Sequence, residues 1–146
     1  MRSLFILLTA LTLLGQNAQA GNGGGKEPPD SVTQLKVESF NLRYDNPDDG
    51  INAWPKRQQL VLNHLQQTLP DVVGMQEVLA HQLDWLAEKL PNYAVIGVGR
   101  DDGKRAGEFV PLLYNTRTLT KLDSGYFWLS ETPNVPGSIG WVAHLP

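Results

Sequence analysis

Hydrophobic positions change their spacing along the chain, and the changes predict alternating strands and helices. Apolar and polar residues alternate over residues 33–42, which is the pattern of a strand. Leucines then recur at helical spacing over residues 55–69, between two prolines, and predict a helix. A short apolar strand at 71–78 and a second leucine-spaced helix at 79–90 follow. The order at this point is therefore β-α-β-α.

Later segments have the pattern of strands without intervening helices. Residues 93–98, 108–115 and 118–129 each have the composition of a strand, and residues 99–107 form a charged loop. The complete order, β-α-β-α-β-β-β, predicts an α+β fold with α/β-like order. We expect one mixed sheet with helices on at least one of its faces.

The first twenty residues differ in character from this folded part. Arg2 precedes an apolar run at 4–14, and Ala18-Gln19-Ala20 supplies the small residues that a signal peptidase reads. The apolar run is shorter than the roughly 20 residues that cross a bilayer. We therefore predict a signal peptide at 1–20 rather than a buried helix, with export to the periplasm or the extracellular space. No stable membrane anchor is expected.

Glycine and proline dominate the next segment, residues 21–32, which predicts a flexible linker before a domain at 33–146. The chain has no cysteine, so its stability must come from a core rather than from disulfides. Its formal net charge of −3 excludes a broad basic surface for binding nucleic acid non-specifically. A phosphate-ester substrate remains compatible with this charge, because a metal ion can supply local positive charge.

Two polar residues lie where predicted strands end. Asn41 closes the first strand and Glu77 closes the second. Ligand sites in open α/β sheets gather at the carboxyl ends of strands, and a carboxylate with an amide oxygen suits Mg²⁺. Asn at a strand end also commonly completes a turn, whereas a carboxylate after a buried run needs a partner.

Four segments carry a family resemblance: SFNLRYDN at 39–46, PDVVGMQEV at 70–78, GVGRDDGKRAGEF at 97–109 and DSGYFWLSETP at 123–133. Together they resemble the endonuclease/exonuclease/phosphatase family, the fold shared by DNase I-like nucleases and several phosphatases. The resemblance spans residues 35–136, and the N-L-R and PD-x-x-G-x-QE segments are its most specific part. It implies half of a four-layer sandwich in which two mixed sheets pack face to face with helices outside.

The resemblance also implies roles for individual residues. Asn41 and Glu77 match metal ligands, for Mg²⁺ or alternatively Mn²⁺. Glu108 matches a glutamate that positions a catalytic histidine from later in the family's sequence. Arg100 and Arg43 lie on loops where a cation could contact substrate phosphate. For the loop after Asn41, a simple turn held by Asp and Asn side chains is an equally good interpretation.

Other residues have simpler interpretations. We interpret Trp128 as a core residue and Lys104 as a solvated cation. Arg57 belongs to a Trp-x-x-Arg pattern that looks like a secreted bacterial branch of the family. Its side chain could support the site, but an exposed cation on a helix is more often solvated, and we favour that interpretation. His64 and His81 are expected at the surface. Trp54 and Trp141 could line a groove.

The resemblance leaves part of the family's site without a counterpart. Its phosphate-binding histidine, Asp-x-Asn pair and closing Asp-His pair are unmatched. Val142 stands where the secreted branch usually has an acidic residue, so His144 is not a matched catalytic residue. We therefore expect a fragment of an exported, metal-dependent phosphodiesterase, phosphatase or nuclease, inactive without the missing C-terminal half. Its substrate would be a phosphate ester of unknown type. The alternative is a non-catalytic exported binding module. An isolated half would also leave one apolar sheet face open to water.

Overall fold

The computed structural model describes residues 34–141 together with Ala143 and His144. The predicted signal peptide at 1–20 and linker at 21–32 lie outside the described residues. So does Val142. Within the described part of the chain, neither α-helix has the length and apolarity needed to cross a membrane.

Four strands form one sheet in the order β1-β2-β4-β3. Strand β1 is parallel to β2, whereas β4 is antiparallel to both β2 and β3, so the sheet is mixed. The predicted α+β fold, with one mixed sheet and flanking helices, is confirmed. Along the chain the elements are β1 (Val37–Asn41), a 3-10 helix (Pro47–Asn52), α1 (Trp54–Thr68), β2 (Val72–Gln76), α2 (Ala80–Lys89), β3 (Tyr93–Ile96) and β4 (Leu112–Asn115).

Helix α1 ends where the sequence predicts. Leu69 adopts the left-handed conformation after the last turn, and its amide donates to the Leu65 carbonyl oxygen at 3.0 Å. Pro70 follows and cannot continue the helix. The apolar stripe faces the sheet, with Val61 and Leu62 buried alongside Leu65. Helix α2 likewise lies within one residue of its predicted bounds at each end.

Two predicted strands are wrong in whole or in part. Of residues 108–115, only the last four form a strand, and Phe109 makes isolated bridges to Val78 and Gly99. Residues 118–129 contain no strand in the described structure. The Leu119 amide instead donates back to the Asn115 carbonyl oxygen in a turn, at 2.9 Å. Alternating apolar residues predict which side chains share a face, but a strand also needs a neighbour to satisfy its backbone groups.

The main core lies between the sheet and the two helices. Its centre is almost completely buried and consists of Leu65, Val73, Met75, Leu86 and Leu113. Burial of side chains of this size contributes about 1.5–3 kcal/mol each. This core holds the sheet and both helices in a fixed arrangement.

A smaller cluster covers part of the opposite sheet face. Val72, Ile96 and Tyr114 are buried there, and Leu119 packs against them. Val37 lies on the same face of β1, yet 64% of its surface is exposed. The apolar face that we expected to be open is therefore open at β1 and covered near β4.

Candidate functional site

Asn41 and Glu77 meet at one edge of the sheet. Strands β1 and β2 run parallel with Asn41 in register with Gln76, so both chains leave the sheet at the same end. The Asn41 Nδ2 group donates to Glu77 Oε1 at 3.0 Å. The structure thus brings together the two residues that the predicted strand ends singled out.

Two residues at this edge have an unfavourable backbone conformation. Arg43 has φ of 60° and Glu77 has φ of 58°, in the left-handed region that residues with a Cβ rarely adopt. Such a conformation costs roughly 1–2 kcal/mol per residue. Strain of this kind tends to cluster at functional sites. One strained residue, Glu77, is itself the hydrogen-bond partner of Asn41, and the other, Arg43, lies two residues after Asn41. This placement of strain is a reason to regard the edge as a candidate functional site.

Arg43 brings a cation to the edge. Its guanidinium forms a two-pronged ion pair with Asp49, with N–O distances of 2.9 and 3.0 Å, and lies 3.9 Å from the Glu77 carboxylate. It also stacks over the Tyr44 ring, 4.5 Å from the centroid. The hydrogen bonds from Arg43 hold the pKa of Asp49 below its ordinary value, so this carboxylate stays ionised.

The loop after β1 also makes the turn contacts of the simpler interpretation. Asn46 Oδ1 accepts a hydrogen bond from the Asp48 amide at 3.1 Å and caps the 3-10 helix. Asp45 instead pairs with His81 of helix α2, at 3.0 Å. The loop can therefore form the turn through Asn46 and still hold Arg43 at the edge, because different side chains make the two sets of contacts.

The edge offers oxygen atoms of the type that bind a hard divalent cation, although the Asn41 amide nitrogen, and not its oxygen, faces Glu77. Asn41 Oδ1 accepts the Arg43 amide at 2.8 Å and keeps a second lone pair. The Glu77 side chain is 28% exposed, so water can reach it. Among the described residues, no group of three or more His, Cys, Asp or Glu side chains is arranged to hold a metal ion. An ion bound here would depend on water or substrate oxygens for its other ligands, as Mg²⁺ commonly does.

Glu108 and Arg100 form a separate pair. Arg100 Nη1 donates to Glu108 Oε2 at 3.2 Å, and its Nε donates to Asp101 at 3.1 Å. Within the described structure, no hydrogen bond or ion pair links Glu108 to Asn41 or Glu77. The bridge from Phe109 to Val78, which directly follows Glu77 in the chain, keeps Glu108 in the neighbouring backbone region.

Trp128 supports this second pair from a buried position. It is buried, as predicted, and its indole Nε1 donates to the Arg100 carbonyl oxygen at 2.6 Å. The interpretation of Trp54 as a groove residue is wrong, because only 3% of its surface is exposed and it packs edge-on against Trp85. Trp141, in contrast, is 72% exposed.

The interpretation of Arg57 as a solvated helix cation is also wrong. Its guanidinium donates to three backbone carbonyl oxygens, those of Asn52 at 2.8 Å, Arg43 at 2.5 Å and Leu42. Two of these carbonyls belong to residues that directly follow Asn41. A contact across fifteen positions has no local sequence signal, so the pattern of the helix could not reveal it.

Gln82 is a further residue that the sequence pattern missed. It is completely buried, and its Nε2 donates to the Arg43 carbonyl oxygen at 3.1 Å while its Oε1 accepts the Leu79 amide at 2.9 Å. The available signal was a polar residue within the leucine stripe of helix α2. A buried amide at such a position needs partners, and one of the two that it finds is the Arg43 carbonyl oxygen, in the loop that follows Asn41.

A pocket of about 390 Å³ adjoins this edge. It lies where the end of β1 meets the 3-10 helix and the start of α1. Its wall is formed by Phe40, Asn41, Leu42, Arg43, Asp49, Asn52 and Arg57.

Comparison with known proteins gives sequence relatives of limited overlap. No protein-family model matches the chain. An uncharacterized protein of Acanthamoeba polyphaga mimivirus is 32% identical over 113 residues, which are 73% of this chain and 42% of the relative. The chain therefore spans less than half the length of this relative.

Solved structures from two bacteria are more similar. An endonuclease/exonuclease/phosphatase from Bacteroides vulgatus is 47% identical with a TM-score of 0.74, over 76% of this chain and 42% of its own. A mannosyl-6-phosphatase from Bacteroides thetaiotaomicron is 44% identical with the same TM-score, over 77% of this chain and 43% of its own. The sequence resemblance is confirmed by these structures. The described residues therefore form part of an endonuclease/exonuclease/phosphatase-family domain, consistent with its N-terminal half.

Proposed function

We propose that this chain belongs to an exported phosphoester hydrolase and binds a divalent metal ion at Asn41 and Glu77, a site called the metal edge below. The observation that carries the proposal is the meeting of Asn41 and Glu77 at the ends of two parallel strands. Glu77 and the Asn41 amide oxygen would hold Mg²⁺ or Mn²⁺. When bound, such an ion neutralises substrate phosphate and stabilises a leaving oxygen.

Arg43 would act as a second source of positive charge for the substrate. Its guanidinium is fixed by Asp49 yet remains one-third exposed, so it is oriented without being shielded from a ligand. A fixed guanidinium stabilises developing charge better than a mobile one, because it needs no reorganisation. Arg100 is less accessible for this role, because its side chain is 22% exposed whereas that of Arg43 is 33% exposed.

Glu108 would orient a catalytic group rather than react itself. Its carboxylate is held by Arg100 in the backbone region next to Glu77. The group it would orient is a histidine in the family resemblance, and no histidine among the described residues makes a hydrogen bond or ion pair with Glu108. We therefore propose that the 146-residue chain binds the metal ion but shows negligible hydrolysis on its own.

A sugar phosphate monoester is the substrate class that we favour for the whole protein. The similarity to the Bacteroides thetaiotaomicron mannosyl-6-phosphatase supports this choice. The formal charge of −3 makes a long polyanionic substrate less favourable, because the chain offers little long-range attraction for it. These arguments concern the class of substrate and leave the identity of the sugar open.

Calorimetric titration with Mn²⁺ tests the metal site. We expect the 146-residue chain to bind the ion and Glu77→Ala to lose most of the affinity. The matched control is Glu88→Ala, which removes one carboxylate from a side chain that is 69% exposed on helix α2. This variant should bind as the wild type does.

Two outcomes would contradict the proposal. Equal Mn²⁺ affinity in wild type and Glu77→Ala would refute the proposed metal site and favour the non-catalytic binding module. Hydrolysis of p-nitrophenyl phosphate by the 146-residue chain, abolished by Glu77→Ala, would instead keep the site and overturn the expected inactivity.

A further inference from the structure

We propose that Arg57 is a positioning residue for the metal edge and acts through the backbone of Leu42 and Arg43. The inference rests on the proposed function, because it assigns Arg57 a task only if Asn41 and Glu77 bind an ion. Arg57 stands on helix α1, and its guanidinium donates to the carbonyl oxygens of both residues. It thereby fixes the segment that directly follows Asn41.

The hydrogen bonds from Arg57 to the two carbonyl oxygens form a clamp, and the peptide groups of Arg43 connect this clamp to Asn41. The Arg43 carbonyl oxygen accepts hydrogen bonds from Arg57 and from the buried Gln82, so side chains of two helices hold it. The Arg43 amide donates to Asn41 Oδ1 at 2.8 Å. Anything that shifts the backbone of Arg43 therefore shifts the orientation of the Asn41 amide facing Glu77.

The clamp also offsets an unfavourable conformation. Arg43 has φ of 60°, and a residue with a Cβ keeps such a conformation only where its surroundings impose it. Hydrogen bonds from two helices to one carbonyl oxygen provide that constraint. Without them, we expect the segment to relax toward ordinary backbone angles and the Arg43 side chain to leave its place beside Asp49 and Glu77.

The task suits an arginine and not a lysine. A guanidinium is a planar fork with five N–H donors, whereas an ammonium group is a compact point charge. Arg57 uses the fork to reach Asn52 as well as Leu42 and Arg43, and it stacks over the buried Trp54 ring at 5.4 Å. A lysine would keep the charge and lose the simultaneous contacts.

The test compares Arg57→Lys and Arg57→Gln with the wild-type chain. Calorimetry measures Mn²⁺ affinity, and hydrogen exchange measures protection of the Arg43 amide. Loss of a group that orients a metal ligand typically lowers metal affinity by about 10- to 100-fold. We expect a decrease in this range for both variants, together with faster exchange at Arg43. Lys56→Gln, at an exposed neighbour on the same helix, should change neither quantity.

A destabilised variant separates positioning from general loss of stability. Ile96→Ala removes a buried side chain of the smaller cluster, on the strand at the opposite end of the sheet from β1. It lowers the melting temperature but should leave Mn²⁺ affinity unchanged. Arg57→Lys is expected to retain the fold, so it decides the matter if Arg57→Gln does not fold.

The outcomes distinguish the two proposals. Binding that is lost in Glu77→Ala but unchanged in Arg57→Lys would overturn the role of Arg57 and leave the metal edge intact. An Ile96→Ala variant that weakens binding as much as Arg57→Lys would also overturn it. No Mn²⁺ binding by the wild-type chain would overturn the proposed function and this role together.

Discussion

Replacing Glu77 by glycine should give a more stable protein than replacing it by alanine. Both changes remove the carboxylate and with it the hydrogen bond from Asn41 Nδ2. They differ in the backbone, because Glu77 has φ of 58° and only glycine adopts this conformation without steric conflict. The difference between the two variants therefore isolates the backbone strain at the site.

The expected difference follows from two opposing contributions. A left-handed residue with a Cβ costs roughly 1–2 kcal/mol, which alanine retains and glycine removes. Glycine also gives the unfolded chain more freedom, which favours alanine by about 0.4–1 kcal/mol. The glycine variant should thus exceed the alanine variant in free energy of unfolding by about 0.8 kcal/mol, the difference between the midpoints of the two ranges.

Urea denaturation of the two variants measures this difference, and a matched pair elsewhere provides the control. Gln66 is exposed in helix α1, where ordinary helical angles make glycine less stable than alanine by about 1 kcal/mol. The sign of the glycine–alanine difference should therefore reverse between the two positions. An alanine variant at Glu77 that equals or exceeds the glycine variant in stability would refute the strain argument. Both variants at Glu77 should lose most of the Mn²⁺ affinity.

Two further predictions concern the leader and the acid response. Expression in a secreting bacterium should yield a mature protein whose N-terminal sequence begins at Gly21, and retention of residues before Ala20 would contradict the predicted cleavage site. Hydrogen bonds from the Thr118 hydroxyl and a backbone amide lower the pKa of Asp71 from its ordinary 3.8. Because this pKa is depressed in the folded state, Asp71 stabilises the fold above pH 3.8, and the contribution is lost as pH falls toward the folded-state pKa. Urea midpoints measured through this range should therefore fall more steeply in wild type than in Asp71→Asn, and identical slopes would refute the assignment.

Local patterns were sufficient for the first half of the fold. Leucine spacing located α1 and α2 to within a residue, because each helix buries one stripe against the sheet and is stopped near a proline. The placement of Asn41 beside Glu77 followed from two strands separated by a helix, since such strands run parallel and end at the same edge. These features depend on contacts that are short in sequence or fixed by topology.

Tertiary contacts account for what the patterns missed. The segment at 118–129 has the composition of a strand but forms none, and its first two residues, Thr118 and Leu119, instead donate to the Asn115 carbonyl oxygen. Arg57 looks like any helix cation until the loop after β1 lies against it. Residue propensities likewise do not predict the left-handed backbone of Glu77, because glutamate rarely adopts this conformation.

The two candidate metal ligands follow strands that occupy different positions in the sheet, one inner and one outer. Glu77 follows β2, which has a neighbour on each side, whereas Asn41 follows β1, which lies at the end of the described strand order. Outer strands open more readily than inner ones, since fewer contacts oppose their separation. The two oxygen donors thus belong to regions with different tendencies toward local unfolding. A ligand that engages both donors would tie the outer strand to the inner one, so occupancy of the site and order at the sheet margin would rise together.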